Sequence, residues 1–396
     1  MRQRRIPATF MRGGTSKAVV FHKRDLPADE SLWPALFVAA LGANDPNGRQ
    51  LNGLGGGVSS LAKVCVVGPP SRPDADIDYS FFQLSPKSAV VDTSGNCGNM
   101  SSAMGPFAVD EGLVAATGGA AEVRIHNTNT AKIIRARFAL DDGLAAVDGD
   151  FALPGVAGAG APVTLDFLAP GGAKTGKLLP TGAARDSLDV AGVGRIEASM
   201  IDAANPCVFV DAAAVGITAT EAPDALEADA AFLARMEAIR RAASVAMGIA
   251  PDLDAAGRIP SVPKVAAVAA PRDQMLLTGE TLATGDMDIL VRMISVGQPH
   301  RAVPLTGALC LAVACGIKDS IPATLCRPDR TQVRIAQASG LTVVEAAMME
   351  RDGKPFAESA SVVRTQRRLM DGYVYAPAST TPGLDASASS AAAAAE

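Results

Sequence analysis

Four segments combine residue types and spacings that suit chemistry. In SGNCGNM (94–100), Gly95 and Gly98 flank Asn96 and Cys97, and the residues that follow suit a helix. A cysteine at a helix start lies near free backbone N–H donors and the positive end of the helix dipole. Such a setting favours a thiolate and also holds a carboxylate. The competing reading is a buried cysteine in a Gly-rich turn. In GGGVSSLAK (55–63), a Gly-rich turn leads to a strand carrying Lys63. If the face with Ser59, Leu61 and Lys63 turns inward, the lysine is desolvated and can work as a neutral base. A snorkelling lysine at the surface is the alternative. RGGTSK (12–17) has two glycines, and the Thr15 and Ser16 hydroxyl and N–H groups can converge on an anion. It lacks the GxxxxGK[ST] spacing of a Walker A loop, and a plain tight turn fits it equally well. In VGQPHRAVPLTGA (296–308), Thr306 and Gly307 can open a second helix, and His300 is the histidine beside a plausible site.

These residues need elements to hold them. Short runs broken by Gly, Pro, Asn and Asp read as strands at 18–23, 62–68, 77–84, 121–128, 162–168, 205–212 and 263–271. Helical periodicity is rarer. It marks 32–42 and 228–248, the latter with Asp229 as cap and Gly248 as stop, and small-residue helices opening within 94–109 and 300–317. Pro106 inside the third should kink or end it. Strands outnumber helices and do not alternate with them regularly, so the class is α+β. SSLAKVCVV (59–67) and PSVPKVAAV (260–268) share Ser, two residues, Lys-Val and a β run, and each precedes a Gly-containing turn that opens a helix. The repeated order implies two related domains facing across a cleft, placed at 1–185 and 186–378. The Ala/Ser-rich segment 379–396 reads as a mobile tail.

Composition narrows the function classes. The chain has 396 residues, enough for two cores, with a formal charge of −5 and only 4% aromatics. No basic run pairs with aromatics, so nucleic-acid binding is not expected. No apolar stretch is long enough for a membrane span, and MRQRRIPATF lacks the apolar core of a signal peptide. Six cysteines without CxxC or metal-ligand spacing to the three histidines suggest reduced thiols in a cytoplasmic protein and no metal site.

Taken together, MRGGTSK (11–17), GGGVSSLAKV (55–64), SGNCGNM (94–100), ANPCVFV (204–210) and the helix opened at TGA (306–308) resemble the methylaconitate isomerase (PrpF) family. Its relatives include 3-methylitaconate and 4-oxalomesaconate Δ-isomerases. The resemblance covers nearly the whole chain except the tail. It implies a diaminopimelate-epimerase-like fold: two similar domains, each a curled, mostly antiparallel sheet around a central helix. It implies proton transfer by Lys63 and Cys97, and a substrate site including Arg12, Thr15 and Ser16, to which Ser60, Asn96, Gly98, Asn99, His300, Thr306 and Gly307 are added as candidate contacts. The reaction implied is a cofactor-independent 1,3-allylic shift in a small unsaturated polycarboxylate such as 4-oxalomesaconate, 2-methylaconitate or aconitate. An amino-acid epimerase of the same fold and an accessory protein of an aconitase-type dehydratase are the competing functions. The epimerase pattern has a second cysteine at the other helix start, where this chain reads Val303-Pro304-Leu305-Thr306-Gly307. A homodimer is left open.

Overall fold

The computed structural model describes residues 3–328 and 332–381; the expected tail lies outside the described residues from 382 onward. The first half contains β1 (Gln3–Gly13), β2 (Ser16–His22), α1 (Trp33–Leu41), β3 (Lys63–Gly68), β4 (Ile77–Leu84), α2 (Gly98–Asp110), β5 (Ala120–Asn127), β6 (Lys132–Asp141) and β7 (Val163–Leu168). The second contains β8 (Gly194–Ala203), β9 (Asn205–Asp211), α3 (Ala230–Ala246), β10 (Lys264–Ala269), β11 (Ile289–Ser295), α4 (Leu305–Cys315), β12 (Gln332–Gln337), β13 (Gly340–Arg351) and β14 (Lys354–Arg364). A last strand, β15 (Gln366–Pro377), ends the described chain apart from one short turn.

The halves repeat one pairing order. In the first, β1–β2 is antiparallel, β2–β3 parallel, β3–β4 antiparallel, β4–β5 parallel, and β5–β6 and β6–β7 antiparallel. Strands β8 to β14 reproduce that series step for step. Each sheet curls around its own helix. α2 touches β1, β2, β3, β5, β6 and β7, while α4 touches β8, β9, β12, β13 and β14. This is the α+β, diaminopimelate-epimerase-like arrangement implied by the resemblance. Small residues let the sheets come close: a Cβ added to Gly105 of α2 would lie 2.9 Å from the Ala136 Cβ. The second helix of each half lies on the outer face. Trp33, Leu36 and Phe37 of α1 pack with Phe21 and Val66, and Phe232, Met236 and Ile239 of α3 pack with Val208 and Val265.

Three local expectations change. Pro106 does not end α2, which runs through it to Asp110. The helix is buried from Gly98 to Val109, and that packing offsets a proline penalty of about 3 kcal/mol. Ser59–Leu61 forms a 3-10 turn instead of strand, so the alternating face proposed for Lys63 does not exist; Lys63 is the first strand residue. The sheet also crosses the division drawn at residue 185. β15 pairs along the whole of β1, and β14 pairs with β7, so the C-terminal strands complete the first half's sheet. Among the described residues no helix is long and apolar enough to cross a membrane.

Candidate active site

The equivalent ends of the two halves meet at one cavity of about 70 Å³, partly open to solvent. α2 and α4 both start there. Cys97 is the N-cap of α2 with extended backbone, Pro304 is the N-cap of α4, and neither helix has a side-chain cap. Their first-turn N–H groups are therefore free to bind an anion. The two starts abut closely: a Cβ on Gly98 would lie 2.4 Å from Leu305 Cδ2 and 3.0 Å from Thr306 Cγ2.

Of the twelve residues named from sequence, ten line this cavity: Thr15, Ser16, Ser60, Lys63, Asn96, Cys97, Gly98, Asn99, His300 and Thr306. Cys97 is buried, with its Sγ 4.0 Å from Ser16 Oγ. Lys63 is 7% exposed and lies over the Phe81 ring, 5.2 Å from its centroid. Its Nζ donates to Gln83 Oε1 at 2.5 Å. The Gln83 amide is fixed in turn, because its Nε2 donates to the Ser59, Ala62 and Leu84 carbonyls at 3.0–3.1 Å. Asn99 braces the RGGTSK turn: its Nδ2 donates to Thr15 Oγ1 at 3.0 Å, and its Oδ1 accepts from Arg364 at 3.2 Å. Gly14 has φ +50, and any Cβ there would lie 2.3 Å from that Oδ1, so both conformation and space require glycine.

Two named residues lie outside the lining. The Arg12 guanidinium folds back onto the Gly14 carbonyl at 3.0 Å and onto Thr365 O and Oγ1 at 3.1 and 2.9 Å. It holds the turn in shape instead of reaching the cavity. Gly307 packs under Met293, whose Sδ would lie 2.3 Å from an added Cβ.

The cavity also holds residues that were not singled out. The repeat around Lys63 puts Lys264 at the start of β10, equally buried at 8% exposure and facing the same space. The sequence signal was present in PSVPKVAAV, but only the fold shows both lysines entering one cavity. Asn205 opens β9 as Ser16 opens β2, and Ser261 matches Ser60; both line the cavity. Asp92 accepts from Ser94 N and Oγ at 2.7 and 2.5 Å, and Ser94 Oγ reaches Ser261 Oγ at 2.9 Å, joining the halves. Nothing local in the sequence marks Gln83 or Asp92 as site residues.

Electrostatically the cavity suits anions. Its lining has two amines and one carboxylate. Burial, then Lys264 and Lys63, push the His300 imidazole down to about 3, so the ring is neutral. Although His300 as a residue keeps some exposure, its Nε2 is sealed from solvent and has no hydrogen-bond partner. Among the described residues no group of three or more His, Cys, Asp or Glu is arranged to hold a metal ion.

The site is thus a two-fold pseudo-repeat whose junction is lined by a buried lysine and by a thiol at the N-cap position of a helix. The chain belongs to the PrpF family: the model described as PrpF protein matches residues 3–377. It is 40% identical over 377 residues to the 3-methylitaconate isomerase of Eubacterium barkeri, covering 94% of this chain and 97% of that one. It is 38% identical over 391 residues to the 2-methyl-aconitate isomerase of Cupriavidus necator, covering 95% and 98%. A crystal structure of methylitaconate-delta-isomerase superposes with a TM-score of 0.78 at 39% identity, covering 97% of this chain and 98% of that one.

Proposed function

We propose that this protein is an isomerase that moves a carbon–carbon double bond within a small unsaturated di- or tricarboxylate, with Lys63 and Cys97 as its proton-transfer pair. The observation that carries the reading is the shared cavity: a buried amine and a buried thiol line one space into which two uncapped helix N-termini open. Relatives across nearly the full length are named for 3-methylitaconate and 2-methyl-aconitate, which supports the substrate class.

The allylic shift follows from these parts. A base takes a proton from the carbon next to the double bond, and the electron pair spreads over the allyl system into a carboxylate or keto group. A proton returns at the far carbon, and the double bond has moved. Lys63 takes the first proton, and Cys97 delivers or relays the second. Charge developing on the substrate oxygens is met by first-turn N–H groups of α2 and α4, donors that need no reorganisation during the reaction. A positioned general base contributes roughly 10²–10⁴-fold. An epimerase with a thiol at each helix start fits less well, because α4 starts at Pro304 and Leu305. Among the described residues no disulfide joins the six cysteines, which suits a reducing cytoplasm.

The test is turnover of 3-methylitaconate, 2-methylaconitate and 4-oxalomesaconate in D₂O, followed by proton NMR. Lys63→Met should stop both isomerisation and deuterium incorporation while circular dichroism stays native. Cys97→Ser should lose most turnover. Full activity in a folded Lys63→Met protein removes the base assignment, and no turnover of any of these acids by the wild type removes the function.

A further inference from the structure

The second-half side of the cavity has polar groups that the proton-transfer pair leaves unused. Lys264 is buried, and its Nζ donates to the Ser261 carbonyl at 3.2 Å. The halves differ at this point. Lys63 has Gln83 opposite it in register as a side-chain acceptor. On β11 the corresponding place, next to the Ile294 partner of Val265, is Ser295, whose side chain is too short to act in the same way. The remaining Lys264 donors therefore have no matching side-chain clamp. Beside it in the lining is His300, whose sealed Nε2 has no partner. Buried polar atoms left without partners are costly, and a ligand that supplies those partners recovers the cost.

We propose that Lys264 is the residue that selects for a second substrate carboxylate: its ammonium and the Nε2–H tautomer of His300 bind that group, at a distance from the carbons that Lys63 and Cys97 protonate and deprotonate. The proposal rests on the allylic-isomerase reading and deepens it by assigning what distinguishes a polycarboxylate from a monocarboxylate. A neutral imidazole N–H and an ammonium together match the two oxygens of one carboxylate, and a charge-assisted pair of this kind is among the stronger hydrogen-bonding arrangements.

Proton linkage follows from the same placement. Burial lowers the Lys264 amine below its ordinary value. Lys63 adds to this, while Cys207, Cys97 and Asp92 oppose it, and His300 facing it is neutral. An arriving carboxylate favours the ammonium, so binding of a polycarboxylate draws a proton onto whatever fraction of the amine is neutral.

The experiment uses the full chain and whichever unsaturated polycarboxylate the wild type turns over. Lys264→Met should raise KM roughly 10- to 100-fold, while kcat falls by no more than a few-fold and deuterium still enters substrate at saturation. Lys264→Arg should restore part of KM. Titration calorimetry near pH 8.5 in buffers of different ionisation heat should show proton uptake on binding to wild type and none to Lys264→Met. If the Met variant does not fold, Lys264→Gln gives the same comparison. An unchanged KM, or a loss of kcat with KM unchanged, overturns the assignment; the second result would place Lys264 in proton transfer instead. A wild type inactive on every polycarboxylate defeats the underlying reading, and inactivity of the variants alone does not.

Discussion

Replacing Gln83 by leucine should slow the enzyme by disordering its base, with only modest loss of stability. Gln83 acts through the Lys63 Nζ that it holds. Its Nε2 is surrounded by three backbone carbonyls at 3.0–3.1 Å, so the amide cannot flip, and its Oε1 must face the Lys63 Nζ at 2.5 Å. Leucine fills similar volume but offers neither acceptor nor donor. A hydrogen bond from a charged donor is worth about 1.5–3 kcal/mol. If all of that is expressed in the transition state, kcat/KM falls by roughly 10–150-fold. Stability should fall by about 1–3 kcal/mol, because side-chain donors to the Ser59, Ala62 and Leu84 carbonyls are lost while Ala62 O keeps its bond from Leu84 N at 3.0 Å. Urea unfolding separates this from catalysis, with rates read by proton NMR far below the melting temperature. The fall should appear in kcat and in deuterium incorporation, with KM within a few-fold. A folded Gln83→Leu enzyme within about threefold of wild-type kcat/KM would refute the positioning argument.

Two further outcomes test the cavity walls. Gly98→Ala puts a methyl 2.4 Å from Leu305 Cδ2 and should push the α2 and α4 starts apart, costing about 1–3 kcal/mol in chemical denaturation and raising KM; unchanged values in both would mean the helix starts are not tightly opposed. His300 binds a proton below about pH 6.5 in the unfolded chain but only near about 3 in the folded one. Between those values the unfolded state holds more protons, so wild-type stability falls as pH drops through that window. His300→Gln should remove on the order of 2 kcal/mol of that loss between pH 6.5 and 5, checked by urea titrations at each pH; parallel curves for both proteins would refute it.

Local pattern in the sequence determined a great deal. Alternation and turn residues placed β4 at its observed bounds and the six other strands read from sequence within a residue or two, because period-two burial is a short-range property, whereas β1, β6, β8 and β11 to β15 were not read from local pattern. Asp229 capping α3, with its carboxylate accepting from Phe232 N at 2.9 Å, and Cys97 at the start of α2 were likewise readable from neighbouring residues. The tertiary structure decided what depends on residues far apart in the chain. It carried α2 through Pro106 by burying both of its flanks, and it paired β15 with β1 across more than 350 positions. It turned Arg12 away from the cavity onto Thr365, and set Gln83 beneath Lys63. Most of all, it brought Lys264 into the space that Lys63 occupies. The repeated Ser-x-x-Lys-Val written twice in the sequence says that two strands are alike. Only the pseudo-two-fold packing of the halves, driven by burial of α2 and α4 in a common core, makes their lysines converge.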